Sequence, residues 1–140
     1  MPTLKKIMLK AKLRTLTWIA PKRAGKLATQ LFIKSRHESN PYRKAYTPMG
    51  ARAVPVHTDN GKVKQAYMWG EEGDIVLLVH GWGADCASMF SFVPYLQRAG
   101  YRVATFDAPA HGSSEGEFAS MMEYQRACEQ VIRQLGPVKK

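Results

Sequence analysis

Apolar and polar positions follow several different patterns along the chain, and each pattern predicts a different element. Residues 75–79 are continuously apolar, with a turn signal before them at 71–74 and a glycine-containing turn after them. A short run of this kind is typical of a strand buried on both faces in a parallel sheet. Residues 101–106 predict a second strand, which a right-handed crossover would place parallel to the first.

Helical spacing of apolar residues is found between these two strands and again after the second. The first helix is predicted to hold Pro94 in its first turn and to end at Gly100. The second has the clearest signal, because Ser120 and Glu123 form a capping box ahead of a repeat that continues at i, i+3, i+4 and i+7. A Gly-Pro pair ends this helix, and Val138 is predicted to open the next strand.

Two further strands are predicted ahead of this region, at residues 51–58 and 62–69. The Asn60-Gly61 pair between them is the strongest two-residue signal for a β-hairpin. Pro55 cannot donate a hydrogen bond in the middle of a sheet, so the first of these strands is expected at an edge.

The first 36 residues predict an arm of two amphipathic helices. Thr3 is a candidate N-cap, and Pro21 ends the first helix or opens the second. The first helix carries an apolar stripe with lysines beside it, made of Leu4, Ile7, Met8, Ala11, Trp18 and Ile19. Residues 37–50 predict a linker, and residues 51–140 predict the domain proper.

Charge is distributed unevenly between these parts. Residues 1–50 carry 12 Lys and Arg against one acid, Glu38, while residues 51–140 carry a net charge of −1. Two interpretations of the arm stay open, an interfacial arm that binds anionic lipid and a helix pair docked on the domain with a solvated basic face. A mitochondrial transit peptide is disfavoured because Lys outnumbers Arg and serine is rare. Nucleic-acid binding is disfavoured because no reading motif accompanies the charge.

The remaining composition restricts the environment of the protein. Cys86 and Cys128 form no metal or redox motif and are predicted to be free thiols, as in an intracellular protein. No apolar run approaches the roughly 20 residues that span a bilayer, and no secretory signal is recognisable. We expect a cytoplasmic protein, associated with a membrane only through the arm, with no cofactor and no metal.

Two motifs in this order and spacing resemble the amino-terminal half of the α/β-hydrolases. Residues 74–83 are D-I-V-L-L-V-H-G-W-G, and residues 101–116 are Y-R-V-A-T-F-D-A-P-A-H-G-S-S-E-G. The resemblance implies an α/β fold and, in the complete protein, a serine hydrolase that attacks a small-molecule ester or amide through an acyl-enzyme. In that family the residue after the His-Gly pair donates its backbone N–H to the oxyanion. Here this residue is Trp82, within the turn His80-Gly81-Trp82-Gly83.

The other polar residues of the two motifs are expected to have structural roles. His80 is expected to support the turn by hydrogen bonding, and Trp82 to form a core or pocket wall as well. Asp107 and His111 are expected to shape the floor of the site, not to form a catalytic dyad. Ala110 stands where the family commonly carries a glycine, which leaves the fold assignment intact and the subgroup undetermined.

The nucleophile expected from this resemblance is absent. Ser114 has glycines two positions before and two positions after it, Gly112 and Gly116, but it lies in the loop after residues 101–106. The family places its G-x-S-x-G elbow after the strand that Val138 begins, so that elbow is missing, and with it the acid and the catalytic histidine. We therefore expect a fold truncated after its fourth strand and the following helix, with an open edge along residues 75–79 and no activity of its own. We expect the elbow to be encoded downstream. The alternative is a non-catalytic binding or membrane-surface module that uses the basic arm.

Overall fold

The computed structural model describes residues 3–34 and 50–138. The chain divides into two compact units, residues 1–34 and residues 35–140, which are described separately. Most of the predicted linker, residues 37–49, lies outside the described residues.

The amino-terminal unit is a pair of helices that pack on each other, α1 (Leu4–Ile19) and α2 (Pro21–Ile33). Thr3 occupies the N-cap of α1, but its side chain makes no capping hydrogen bond. Pro21 opens α2 in its first turn, where the missing N–H costs nothing. Within the described residues, no helix combines the length and the apolar character that crossing a membrane requires.

The second unit contains a four-stranded mixed sheet in the order β1-β2-β4-β3. Its strands are β1 (Arg52–Pro55), β2 (Gln65–Trp69), β3 (Ile75–Leu78) and β4 (Arg102–Phe106). β1 and β4 are each antiparallel to β2, while β3 and β4 are parallel. This arrangement confirms the predicted edge position of the strand that contains Pro55 and the predicted parallel pair.

The hairpin between β1 and β2 has shorter strands and a wider loop than the sequence predicts. The two predicted strands, 51–58 and 62–69, lose residues where they approach the turn. There the Thr58 hydroxyl accepts a hydrogen bond from Val63 N–H at 3.1 Å, and Thr58 carbonyl accepts one from Gly61 N–H at 2.7 Å. At the turn, the Thr58 side chain thus takes the place of a backbone partner for Val63 N–H. The number of residues between two predicted strands does not reveal such a side-chain contact.

Helices cover both faces of the sheet. A 3-10 helix (Cys86–Phe92) leads into α3 (Val93–Arg98), so the regular helix begins immediately before Pro94. α4 (Met121–Leu135) starts at Ser120 with the predicted capping box. Successive residues of β4 point to opposite faces, because side chains alternate along a strand. Val103 packs with Trp69 and α3, whereas Phe106 packs with the buried face of α4.

β3 is the strand on which the prediction of burial on both faces is wrong. Only Ile75 is buried, residues 76–78 are half-buried, and Val79 is 41% exposed. Along the outer edge of β3, the described residues contribute one parallel bridge, between Ile75 and Val138. The next strand predicted to begin at Val138 therefore starts where a fifth strand would pair with β3, and no other residue among 3–34 and 50–138 pairs with that edge.

Candidate active site

The two motif loops lie at the same end of the sheet, where β3 and β4 terminate. Residues 79–85 follow β3 and residues 107–114 follow β4, and β3 and β4 are parallel. Parallel strands have their carboxyl ends at the same end of the sheet, and open α/β sheets bind their ligands at that end. The fold thus brings the two loops together, although the 21 residues from 86 to 106, which form the 3-10 helix, α3 and β4, separate their nearest ends in sequence.

Two histidines fasten these loops to each other in a reciprocal way. His80, from the β3 loop, accepts a hydrogen bond at Nε2 from Ala108 N–H at 3.1 Å. His111, from the β4 loop, accepts one at Nε2 from Gly83 N–H at 3.0 Å. The two side chains are 3% and 2% exposed. We call this pair of side chains and their two bonds the histidine clasp.

The hydrogen bonds of the clasp fix the protonation of both rings. Since each Nε2 accepts a backbone N–H, the ring proton lies on Nδ1. That nitrogen then donates to Gly81 carbonyl in His80 and to Pro109 carbonyl in His111, each at 2.9 Å. Burial lowers the pKa of His80, which also favours the neutral ring. Both nitrogens of His111 are thereby engaged with backbone, so it forms no dyad with Asp107.

Asp107 is the second anchor of the loops. It is 3% exposed, and its carboxylate accepts hydrogen bonds from Cys86 N–H, Ser113 N–H and Ser113 Oγ, each at 2.8 Å. The first of these bonds holds the start of the 3-10 helix, while the other two close the β4 loop on itself. Hydrogen bonds to a charged acceptor are among the stronger ones. Asp107 thus acts as a structural anchor for both loops.

The β4 loop contains a strained residue where the sequence departs from the family pattern. Ala110 has φ of 59°, the one positive φ of a non-glycine residue within residues 3–34 and 50–138. A side chain costs roughly 1–2 kcal/mol in this conformation, whereas glycine adopts it freely. The structure therefore explains the glycine that the family pattern places here, and shows that alanine is accommodated with its side chain fully buried.

Trp82 lies in the β3 loop between Gly81 and Gly83, the two residues whose backbone groups bind the histidine clasp. Its half-buried ring packs against the core and meets the His111 ring edge-on, with centroids 5.2 Å apart. The neighbouring Gly83 N–H is already bound to the clasp. The ring thus packs partly into the core, and its role as a pocket wall stays a prediction. The turn around its backbone is held by His111 through Gly83 N–H and by His80 through Gly81 carbonyl.

Sequence reasoning missed two contributors to this arrangement. The Tyr124 hydroxyl, from α4, donates to the His80 carbonyl and ties the turn to the helix. Cys86 contributes its backbone N–H to Asp107. The helical spacing of Tyr124 indicates only a core position, and a backbone donor carries no signal in a side-chain pattern. Neither residue could have been assigned to the site without the topology.

The two cysteine thiols are buried or half-buried, and a cavity in this unit lies away from the two motif loops. Cys86 is buried, and burial raises the pKa of the Cys128 thiol, which disfavours the reactive thiolate. A cavity of about 160 Å³ is lined by residues 58–60 and by α4, so it shares no residue with the two motif loops. Within residues 3–34 and 50–138, no three His, Cys, Asp or Glu side chains are grouped to hold a metal ion.

The free energy of unfolding is expected to decrease as the pH is lowered from neutral to mildly acidic, because the unfolded chain takes up a proton at His80 more readily than the folded chain does. Unfolded histidine binds a proton near pH 6.5, whereas the folded pKa of His80 is lower, so in the interval between them the unfolded chain binds more protons. Stability is then fully present above about pH 6.5 and decreases as pH falls toward the folded pKa. Urea unfolding at several pH values should show this decrease, and His80→Gln should flatten it.

His57 supplies the matched control for this measurement, because its side chain is exposed and lies outside the clasp. His57→Gln is expected to keep the pH dependence of the parent chain. A His80→Gln variant with an unchanged pH dependence would contradict the assignment of a buried neutral ring.

Comparison with known proteins connects this geometry to a family. Residues 74–140 match the family model described as alpha/beta hydrolase fold. An esterase of Pyrococcus furiosus is 22% identical with a TM-score of 0.54 over 64% of this chain. A bromoperoxidase from Bacillus anthracis is 26% identical with a TM-score of 0.51 over 60% of this chain. An epoxide hydrolase from an endophytic Streptomyces is 32% identical with a TM-score of 0.54 over 62% of this chain.

The chain covers well under half of each of these three proteins. The chain covers 38% of the esterase, 31% of the bromoperoxidase and 27% of the epoxide hydrolase. A search of functionally curated proteins found no match. The three structures bear the names of three different activities, so the part that they share with this chain does not select one reaction.

Proposed function

Residues 74–140 belong to the α/β-hydrolase fold family, and from this we propose that the chain supplies the oxyanion side of a serine hydrolase site. The proposed substrates are small carboxylic esters or amides, cleaved through an acyl-enzyme. In this proposal the Trp82 backbone N–H donates to the carbonyl oxygen as it becomes negatively charged. His80, Gly81 and Gly83 shape the turn that aims this N–H.

The clasped turn is the observation that carries the proposal. An oxyanion donor is effective when it is fixed before the reaction, because no free energy is then spent on orienting it during the reaction. The turn is fixed in this way at both sides of Trp82. His111 holds Gly83 N–H, and His80 binds Gly81 carbonyl and Ala108 N–H.

The parallel bridge between Ile75 and Val138 supports a position for the nucleophile. A strand that continues from Val138 beside β3 would run in the same direction as β3. The carboxyl end of that strand would then lie at the end of the sheet where the Trp82 turn is found. A serine in a sharp strand-to-helix turn at that point would face the oxyanion N–H, and the residue after it would supply the second donor.

This chain on its own is proposed to be inactive. A serine hydroxyl is a weak nucleophile unless a base lies within hydrogen-bond reach. Both nitrogens of His80 and of His111 are engaged in hydrogen bonds to backbone groups. Neither ring is therefore available to activate Ser113 or Ser114, the two serines of the β4 loop.

The proposal is tested by hydrolysis of p-nitrophenyl esters and labelling with a fluorophosphonate. The 140-residue chain should show no turnover above the buffer rate and no labelling. The chain joined to the sequence encoded directly after Lys140 should show both, with the label on a serine beyond residue 140. Saturable, fluorophosphonate-sensitive turnover by the 140-residue chain would contradict the proposal, and so would a joined, folded chain without labelling.

The alternative function, a non-catalytic module that binds a membrane surface through the basic arm, rests on a different observation in α1. It involves no residue of the two motif loops.

A further inference from the structure

Helix α1 has two apolar faces, and the helix pair uses one of them. The least exposed residues of α1 are the half-buried Leu9, Leu13 and Leu16, at i, i+4 and i+7 on one face. Ala24 of α2 is buried, and α1 and α2 pack on each other. The face of α1 that the sequence predicts as its apolar stripe is a different one, since Leu13 and Leu16 do not belong to it.

The stripe itself is exposed to solvent. Trp18 is 86% exposed, Ile19 77%, Leu4 74%, Met8 64% and Ile7 51%. At 3.6 residues per turn these side chains and Ala11 lie within a sector of about 120° on the helix, opposite Leu9, Leu13 and Leu16. Scattered exposed apolar residues are normal, but a continuous exposed stripe marks an interaction surface.

Basic residues border this stripe on both sides. The same helical geometry places Lys5 and Lys12 along one border and Lys10 and Arg14 along the other. Residues 3–34 contain no acid at all, so the flanks are not neutralised within the unit. An apolar face between two cationic borders is the pattern of a helix that lies in the interface of an anionic bilayer.

We propose that α1 binds the surface of an anionic lipid bilayer, with its stripe inserted below the headgroups and its axis parallel to the membrane plane. The lysines and the arginine then contact lipid phosphates and carboxylates, while Trp18 lies at the headgroup level, where its ring is partly apolar and its N–H is solvated. Leu9, Leu13 and Leu16 stay within the helix pair.

One polar residue of the stripe fits this placement. Thr15 lies between the apolar side chains on the same sector, and its hydroxyl donates to Ala11 carbonyl at 3.1 Å. Transfer of a hydroxyl out of water is costly when it has no hydrogen-bond partner. The partner within the helix reduces that cost.

Lipid fits this surface better than the other candidate occupants. A nucleic acid would contact the charges but leave Trp18 and the aliphatic side chains in water. A second copy of α1 would bring two cationic borders together, which is unfavourable without acids to pair them. An anionic bilayer satisfies the stripe and its borders at once.

Co-sedimentation of the full 140-residue chain with vesicles tests the proposal. Binding should be at least tenfold stronger to phosphatidylserine-rich vesicles than to phosphatidylcholine vesicles, and it should weaken as salt rises, because surface charges are screened. Acyl chains brominated near the headgroup should quench Trp18 fluorescence, and Trp18→Phe should remove that quenching without abolishing binding. Equal binding to both vesicle types, or no binding, would overturn the proposal.

Two variants separate insertion from simple charge attraction. Ile7→Ser/Trp18→Ser/Ile19→Ser should lower binding to anionic vesicles at least tenfold, and Lys5→Gln/Lys12→Gln/Arg14→Gln should remove the preference for anionic lipid. The matched control Tyr95→Ser/Met121→Ser/Met122→Ser changes three exposed apolar side chains outside the arm and should bind as the parent does. Circular dichroism establishes that each variant keeps its helices.

Two outcomes would overturn the insertion model. Unchanged binding of the stripe variant would mean that charge alone attracts the chain to the vesicles. Light scattering of the lipid-free chain gives the other test. A dimer that disappears in the stripe variant would mean that the stripe covers a second copy and not a bilayer.

Discussion

Replacement of Gly112 by alanine should lower the free energy of unfolding of the sheet-containing unit by about 3 kcal/mol or more, from two costs that add. Gly112 has φ of 58°, where a side chain is strained. A Cβ at this position would also overlap the carboxylate of Asp107. The carboxylate would have to move from Cys86 N–H and Ser113 N–H, so both motif loops would be released together. Urea unfolding followed by tryptophan fluorescence measures the loss.

Gly61 provides the matched control for this substitution. It has a similar φ of 65°, but a Cβ there meets no atom within 4 Å. Gly61→Ala should therefore cost only the backbone strain, about 1–2 kcal/mol. The difference between the two variants isolates the contact with Asp107.

A double-mutant cycle keeps the prediction decisive even if Gly112→Ala is barely stable. Asp107→Ala removes the carboxylate that the new Cβ would strike, so Gly112→Ala should cost less in that background than in the parent. Substitutions in contact are expected to be non-additive in this way, whereas distant ones add. Full additivity of Gly112→Ala with Asp107→Ala would mean that the overlap with Asp107 is not the cause.

The sequence was sufficient for the elements whose signals are local. The capping box at Ser120, the stop at Gly100 and the proline that opens α2 are all observed. These features depend on residues within one turn of each other, so tertiary context has little to alter. The parallel pair of β3 and β4 followed from the crossover rule, which is equally independent of side-chain detail.

The predictions that were wrong concern burial and loop geometry. Residues 75–79 carry the apolar run of a central strand, but the structure describes them at an edge, where Val76, Leu77 and Leu78 are only half-buried. An apolar run encodes what a strand can bury, while its neighbours decide what it does bury. The shortened hairpin has a related cause, because the Thr58 side chain competes with backbone pairing.

The candidate site was predictable in its parts and not in its connections. The turn, the β4 loop and the supporting role of His80 followed from the motifs. That His80 binds Ala108 while His111 binds Gly83 could not be inferred, since each bond joins residues 28 positions apart. Only the parallel pairing of β3 and β4 brings these residues within hydrogen-bond distance. The helix pair gives a similar lesson, because sequence alone does not tell which of two apolar faces of α1 is the one that packs.

The Trp82 backbone N–H is the most specific element of this account, and proline is the substitution that removes it. In the chain joined to its downstream sequence, Trp82→Pro should lower kcat by about 100- to 1000-fold with a smaller effect on KM, because an oxyanion donor acts mainly in the transition state. Trp82→Phe keeps the N–H and an aromatic ring, so its kcat should stay within about tenfold of the parent.

The kcat of these two variants on one p-nitrophenyl ester is the measurement that decides the central claim. Thermal unfolding of both variants shows whether the turn and its clasp survive the proline. A folded Trp82→Pro variant with severely reduced kcat beside a near-normal Trp82→Phe variant is the predicted result. A folded Trp82→Pro variant that keeps the kcat of Trp82→Phe would contradict the claim that this N–H binds the oxyanion.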